Sequence, residues 1–141
     1  MRLAVVTVPS MLFCLIGVPA LAGQAEDLAK ARIRSIASGD VGAVDAAYGS
    51  SSALEWVGGP LDGRYATPDE LHQVWQKFTG AQGQQKATIA GISEAASPKG
   101  STVVADVTFV GKNTVRVRYV LTYRDDKLVN EVWQVNPKAA H

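Results

Sequence analysis

One cysteine stands in the 141 residues, Cys14, and it lies in the apolar stretch that opens the chain. Beyond that stretch there is no thiol, which excludes disulfides, thiolate metal sites and a cysteine nucleophile. Histidine is nearly as scarce, with only His72 and the C-terminal His141. One usable imidazole and carboxylates without ligand spacing predict no metal and no cofactor. An excess of charge is lacking too. Lys and Arg number 14 against 13 Asp and Glu, and the two become equal once Arg2 is removed with the leader. That balance argues against nucleic acid as a partner, which needs a basic face, and against electrostatic attachment to an anionic membrane. No nucleophile elbow, phosphate loop or internal repeat is present.

The one long apolar run is at the start. It extends from Leu3 to Val18, follows the single charge of Arg2, and is broken by Pro19. Ala20-Leu21-Ala22 then places small residues at both positions a signal peptidase reads. Residues 1–22 are therefore expected to be a cleaved signal peptide, and residues 23–141 one periplasmic or secreted domain with no stable membrane attachment. The alternative is an uncleaved anchor, but the run is short for a spanning helix of ~20 residues and contains proline. Phe13 before Cys14 does not fit a lipoprotein signal. The exported domain, lacking thiols, must be held by its core alone in a compartment that permits disulfides.

Within the domain the apolar period is first helical and then alternating. Ala29, Ile33, Ile36 and Ala37 share one face of a helix over 25–38, which leaves Lys30, Arg32 and Arg34 to solvent. Asp40 can cap a second helix over 41–48, with Val41, Val44 and Tyr48 on its buried side. The Ser50-Ser51-Ser52 run breaks the chain before a short strand over 53–57. The turn residues Gly58-Gly59-Pro60 and Asp62-Gly63 predict a loop over 58–66. Thr67, Pro68 and Glu70 make a capping box with proline at the first helical position. Leu71, Val74, Trp75 and Phe78 follow at helical spacing, and Gly80 ends that third helix. Strands are expected over 86–94, with a bulge or bend at Gly91, then over 101–110, 114–124 and 127–136. Helices first and a strand meander last predict an α+β fold with the helices on one face of an antiparallel sheet.

If Asp125-Asp126 is a two-residue turn, uninterrupted pairing sets Arg118 opposite Trp133. A three-residue loop over 111–113 sets Asp106 opposite Arg118. Alternation then divides the sheet into two faces. The core face would carry Val103, Ala105, Val107, Phe109, Val115, Val117, Tyr119, Leu121, Tyr123, Leu128, Asn130 and Val132. The outer face would carry Asp106, Thr108, Arg116, Arg118, Glu131 and Trp133. An exposed tryptophan ringed by charges marks Asp106, Arg116, Arg118, Glu131 and Trp133 as a candidate homodimer interface. A solvated face with cross-strand ion pairs is the plainer alternative.

These segments, taken in order, resemble the nuclear transport factor 2-like superfamily, and within it the SnoaL-like proteins. The resemblance spans about residues 25–135. It is carried by Ala37-Ser38-Gly39-Asp40, by Leu54-Glu55-Trp56 followed by Gly59-Pro60-Leu61-Asp62-Gly63-Arg64-Tyr65, by Asp69-Glu70-Leu71 with Trp75 and Phe78, and by the hairpin from Tyr123 to Trp133, where Asp126 replaces the usual glycine. The resemblance implies a cone-shaped fold in which a curved antiparallel sheet packs against three helices. The superfamily holds enzymes, ligand binders and assembly modules, so the fold implies a pocket and not a reaction.

That pocket is expected between the third helix, the short strand and the apolar sheet face. Trp56, Tyr65, Trp75, Phe78, Tyr119 and Tyr123 would line it and receive a small, largely apolar molecule. Helical spacing equally allows Trp75 and Phe78 to be plain core. The alternative function is a small hydrolase, isomerase or cyclase that uses His72 as general base with Glu55 or Asp62 at the pocket mouth. Nothing in the sequence shows that these three converge.

Overall fold

The structure is a computed structural model, and it describes residues 23–136. The expected signal peptide lies outside the described residues. Helix α1 (Gln24–Ser38) buries Ala29, Ile33, Ile36 and Ala37 on one side. Its first turn is held by Glu94, whose carboxylate accepts from the backbone N–H of Gly23 at 2.8 Å and of Ala25 at 3.3 Å. A carboxylate there also meets the positive end of the helix dipole. Gly39, at φ 76°, closes the helix in the left-handed conformation that glycine adopts without a Cβ clash. The Asp40 side chain accepts from Ala43 N–H and caps the short helix α2 (Val41–Ala46). Helix α3 (Pro68–Gln82) begins with the full capping box of Thr67 and Glu70. It passes through Gly80 and stops at Gly83, because only the second glycine is at positive φ.

Six strands form one sheet in the order β2-β1-β6-β5-β4-β3. They are β1 (Tyr48–Val57), β2 (Gly63–Tyr65), β3 (Lys86–Ser97), β4 (Gly100–Val110), β5 (Thr114–Arg124) and β6 (Lys127–Val135). The sheet is mixed and not wholly antiparallel, since β1 runs parallel to β6. Two other expectations shift near β1. Tyr48 belongs to this strand and not to α2, and the serine run stays within the strand as an irregularity between Tyr48 and Ala53. Residues 63–65, expected as loop, pair with β1 as an edge strand. The bulge in β3 falls between Ile89 and Gly91, next to the glycine that signalled it.

The β5–β6 hairpin turns on Asp125 and Asp126, both at positive φ, the conformation required by the mirror-image turns that suit strand twist. Arg124 pairs with Lys127 as expected. The register then slips: Tyr123 faces Leu128, but Thr122 faces Asn130, so Val129 is an inserted residue. One extra residue turns every later side chain to the opposite face. Arg118 therefore pairs with Gln134, and Tyr119 pairs with Trp133. Trp133 and Glu131 are both 0% exposed in the core, whereas Asn130 is exposed and Val132 is half-buried. This corrects four assignments along one strand. The expected Asp106–Arg118 pairing, on strands without a slip, is as observed.

Candidate functional site

The interior of the cone is filled rather than hollow. Trp133 lies at the centre of an aromatic cluster, with ring centroids 4.9 Å from Trp56, 5.2 Å from Trp75, 5.2 Å from Phe78, 5.2 Å from Phe109 and 5.0 Å from Tyr119. Most of these contacts are tilted or edge-to-face, the arrangement that aromatic quadrupoles favour. The Trp133 indole N–H is buried and has no partner.

Beside this cluster runs a buried polar chain. Arg32 is buried, although the helical pattern had left it to solvent; it follows Ala29 by three residues and precedes Ile36 by four, which puts it on the core face. Its Nε–H donates to Tyr119 Oη at 2.7 Å and to Glu131 Oε2 at 3.1 Å, and one Nη1–H donates to the Val44 carbonyl at 2.8 Å. Tyr119 in turn donates to Glu131 Oε2 at 2.5 Å. Tyr48 donates to Glu131 Oε1 and accepts from Trp75 Nε1–H at 2.6 Å. Burial disfavours the charged guanidinium, but Glu131, Tyr119 and Tyr48 outweigh that penalty and hold Arg32 above its ordinary pKa. Burial also raises the phenols of Tyr119, Tyr48 and Tyr123. Every member of the chain has partners inside the protein, so it ties α1 to strands β1, β5 and β6 of the sheet.

Of the clefts at the surface, one with a largely apolar wall lies at the C-terminal end of α3. This cleft of about 530 Å³ is lined by Trp56, Leu61, Phe78, Ala81, Val115 and Val135, together with Gly59, Pro60, Lys77, Gln82 and Asn113. Helical period explains the α3 wall, since Lys77 and Ala81, and likewise Phe78 and Gln82, are four residues apart. The Gln82 side chain is held by the Asn113 backbone: Gln82 Nε2 donates to the Asn113 carbonyl at 2.9 Å, and the Asn113 backbone N–H donates to Gln82 Oε1 at 3.1 Å. Their contact needs Gly111, where a Cβ would come within 2.5 Å of the Gln82 carbonyl oxygen. Among the described residues, no group of three His, Cys, Asp or Glu is placed to hold a metal ion, and no helix is long and apolar enough to cross a membrane.

Of the six expected lining residues, Trp56 and Phe78 line this cleft. Trp75 and Tyr119 are wholly buried in the interior. Tyr65 lies on β2 and donates to the Leu61 carbonyl at 2.7 Å. Tyr123 is at the opposite end, beside the β5–β6 hairpin, with its hydroxyl buried and unpartnered. The expected acid–base residues do not come together. His72 Nδ1 lies 2.5 Å from Asp45 Oδ2 on the surface between α2 and α3. Glu55 pairs with Arg64 across β1 and β2, and Asp62 accepts from Gly58 N–H at 2.7 Å within its own loop. None of the three lines the cleft. Of the expected interface residues, Asp106, Arg116 and Arg118 are exposed on the outer sheet face, but Glu131 and Trp133 are in the core.

Solved structures share this architecture. A nuclear transport factor 2-like protein of unknown function from Pseudomonas putida is 13% identical, with TM-score 0.68 over 79% of this chain and 84% of that one. A ketosteroid isomerase-like protein from Erwinia carotovora atroseptica is 16% identical, with TM-score 0.65 over 84% of this chain and all of that one. Another nuclear transport factor 2-like protein of unknown function, from Burkholderia xenovorans, is 14% identical, with TM-score 0.63 over 82% and 86%. No protein-family model matches the sequence, and no curated protein does.

Proposed function

We propose that this chain, which has the nuclear transport factor 2-like fold, is an exported binder of a small, largely apolar molecule held in the cleft beside α3. The observation that carries this is the cleft wall: Trp56, Leu61, Phe78, Ala81, Val115 and Val135 leave carbon surface open to solvent, while the aromatic cluster fills the interior behind it. Its volume falls within the range of small-molecule sites, roughly 300–1,000 Å³. No chemical step is assigned, because the members of the buried polar chain are bonded to one another and Glu55 and Asp62 are tied elsewhere. Trp56 provides the assay. Titrating the purified protein with decanol should change tryptophan fluorescence saturably, and Ala81→Phe, which fills the cleft, should abolish the change. Equal binding by Ala81→Phe would mean that the cleft is not the site.

A second role is supported by the outer sheet face, where Val104, Val120 and Val132 form one row across β4, β5 and β6. Polar rows flank it: Thr102, Thr122 and Asn130 on one side, and Asp106, Arg118 and Gln134 on the other. Arg116 adds a second cation to that face. A second copy of the chain, turned by a two-fold axis, would set arginines against aspartate and valines against valines. Sedimentation should then report a dimer that Arg118→Glu dissociates; a dimer unchanged by Arg118→Glu, or a wild-type monomer, would end this reading.

A further inference from the structure

We infer that the ligand of the α3 cleft is an apolar carboxylic acid whose carboxylate pairs with Lys77. Because it rests on the cleft being a ligand site, the experiment below separates the two claims. Lys77 is the one charged side chain among the cleft's lining residues. Its helical neighbours at i−4, i−3, i+3 and i+4 are Gln73, Val74, Gly80 and Ala81, so it has no carboxylate with which to form an ion pair along α3. Lys30, Arg32, Arg64 and Arg118 do have one, with Glu26, Glu131, Glu55 and Asp106, whereas Lys77 is one of the cations without, and it is the one at this cleft. Among the described residues, no ion pair is formed by Lys77.

The position of Lys77 suits an amphiphile. It stands one helical turn before Ala81 and next to Phe78, so its methylene stem extends the apolar wall while the ammonium stays at the wet lip. Of the other polar lining side chains, Gln82 is engaged and Asn113 offers a neutral amide, which leaves Lys77 as the cation for an anion to meet. The Gln82 side chain is engaged by Asn113, and the Gln82 carbonyl accepts from Lys112 N–H at 2.9 Å. The nearest carboxylate on the facing loop, Asp62, is turned back onto Gly58 N–H. An apolar floor with one cation at its edge matches an elongated body that carries a single terminal negative charge.

Calorimetric titration of the purified protein with decanoate and with decanol compares the same tail with and without the charge. Decanoate should bind about fivefold tighter than decanol at low salt, the scale of a partly exposed ion pair, and added salt should narrow the gap. Lys77→Gln should close the gap by weakening decanoate alone, and Lys77→Arg should restore it. If the two ligands bind wild type equally, or if the gap survives Lys77→Gln, the assignment of Lys77 is overturned while the cleft remains a site for neutral apolar molecules. If neither ligand binds, and Ala81→Phe changes nothing, both claims fall together.

Discussion

Two arginine–carboxylate pairs in this molecule share their chemistry and differ in their surroundings. Arg118 and Asp106 meet across β5 and β4 on the outer face, with side chains 63% and 54% exposed. Arg32 and Glu131 meet inside the cone, with side chains 2% and 0% exposed. The outer pair exchanges one hydrated state for another, so it contributes little and can be given up to a partner. The inner pair has lost its water and depends on Tyr119, Tyr48 and the Val44 carbonyl to replace it. The contrast separates a solvated surface pair from a network committed to architecture.

The largest expected effect is on the inner pair. Arg32→Met leaves the Glu131 carboxylate buried without its cation and should cost about 3–5 kcal/mol, read as a lowered denaturant midpoint. Replacing both, as Arg32→Met with Glu131→Leu, should recover much of that loss. It will not recover all of it, because the Tyr48 and Tyr119 hydroxyls then lose an acceptor. A single change costing under 1 kcal/mol would show that the network does not hold α1 to the sheet.

Alkali should act next. The folded state raises the phenols of Tyr48, Tyr119 and Tyr123 above the usual 10. The unfolded chain loses those protons first, so stability is intact below pH 10 and falls as pH rises above it, by at most about 1.4 kcal/mol per pH unit for each tyrosine. Urea unfolding from pH 8 to 11 measures this, and a flat profile to pH 11 would contradict the burial of these phenols. The smallest effect belongs to the outer pair. In the Arg118→Glu variant, monomer stability should move by no more than about 1 kcal/mol, whatever happens to its sedimentation.

Most elements were legible, though β2 was expected as loop and β1 begins at Tyr48, earlier than expected. Thr67, Pro68 and Glu70 announced α3, the Gly39–Asp40 corner separated α1 from α2, and alternation marked β4 and β5 with their faces correctly assigned. The candidate site was legible in part: Trp56 and Phe78 were expected at the cleft, and helical spacing leads from Phe78 to Ala81 and from Ala81 back one turn to Lys77. Arg32 was misread because its charge was weighed above its position, although Ala29, Arg32 and Ile36 share a helical face. Glu131 and Trp133 were misread because they lie beyond Val129, and an inserted residue leaves no mark in a strand whose residues all suit a pleated surface.

What the sequence by itself determined is local: caps, turn residues and apolar periods depend on neighbours a few positions away. What only the tertiary structure decided is which strand lies beside which and in what register. The parallel β1–β6 pair, the slip at Val129 and the meeting of Arg32 with Glu131, 99 residues apart, depend on how surfaces distant in the chain fit together. Their free energy comes from burying Trp133 and satisfying Glu131 at once, and neither condition exists until the cone has closed.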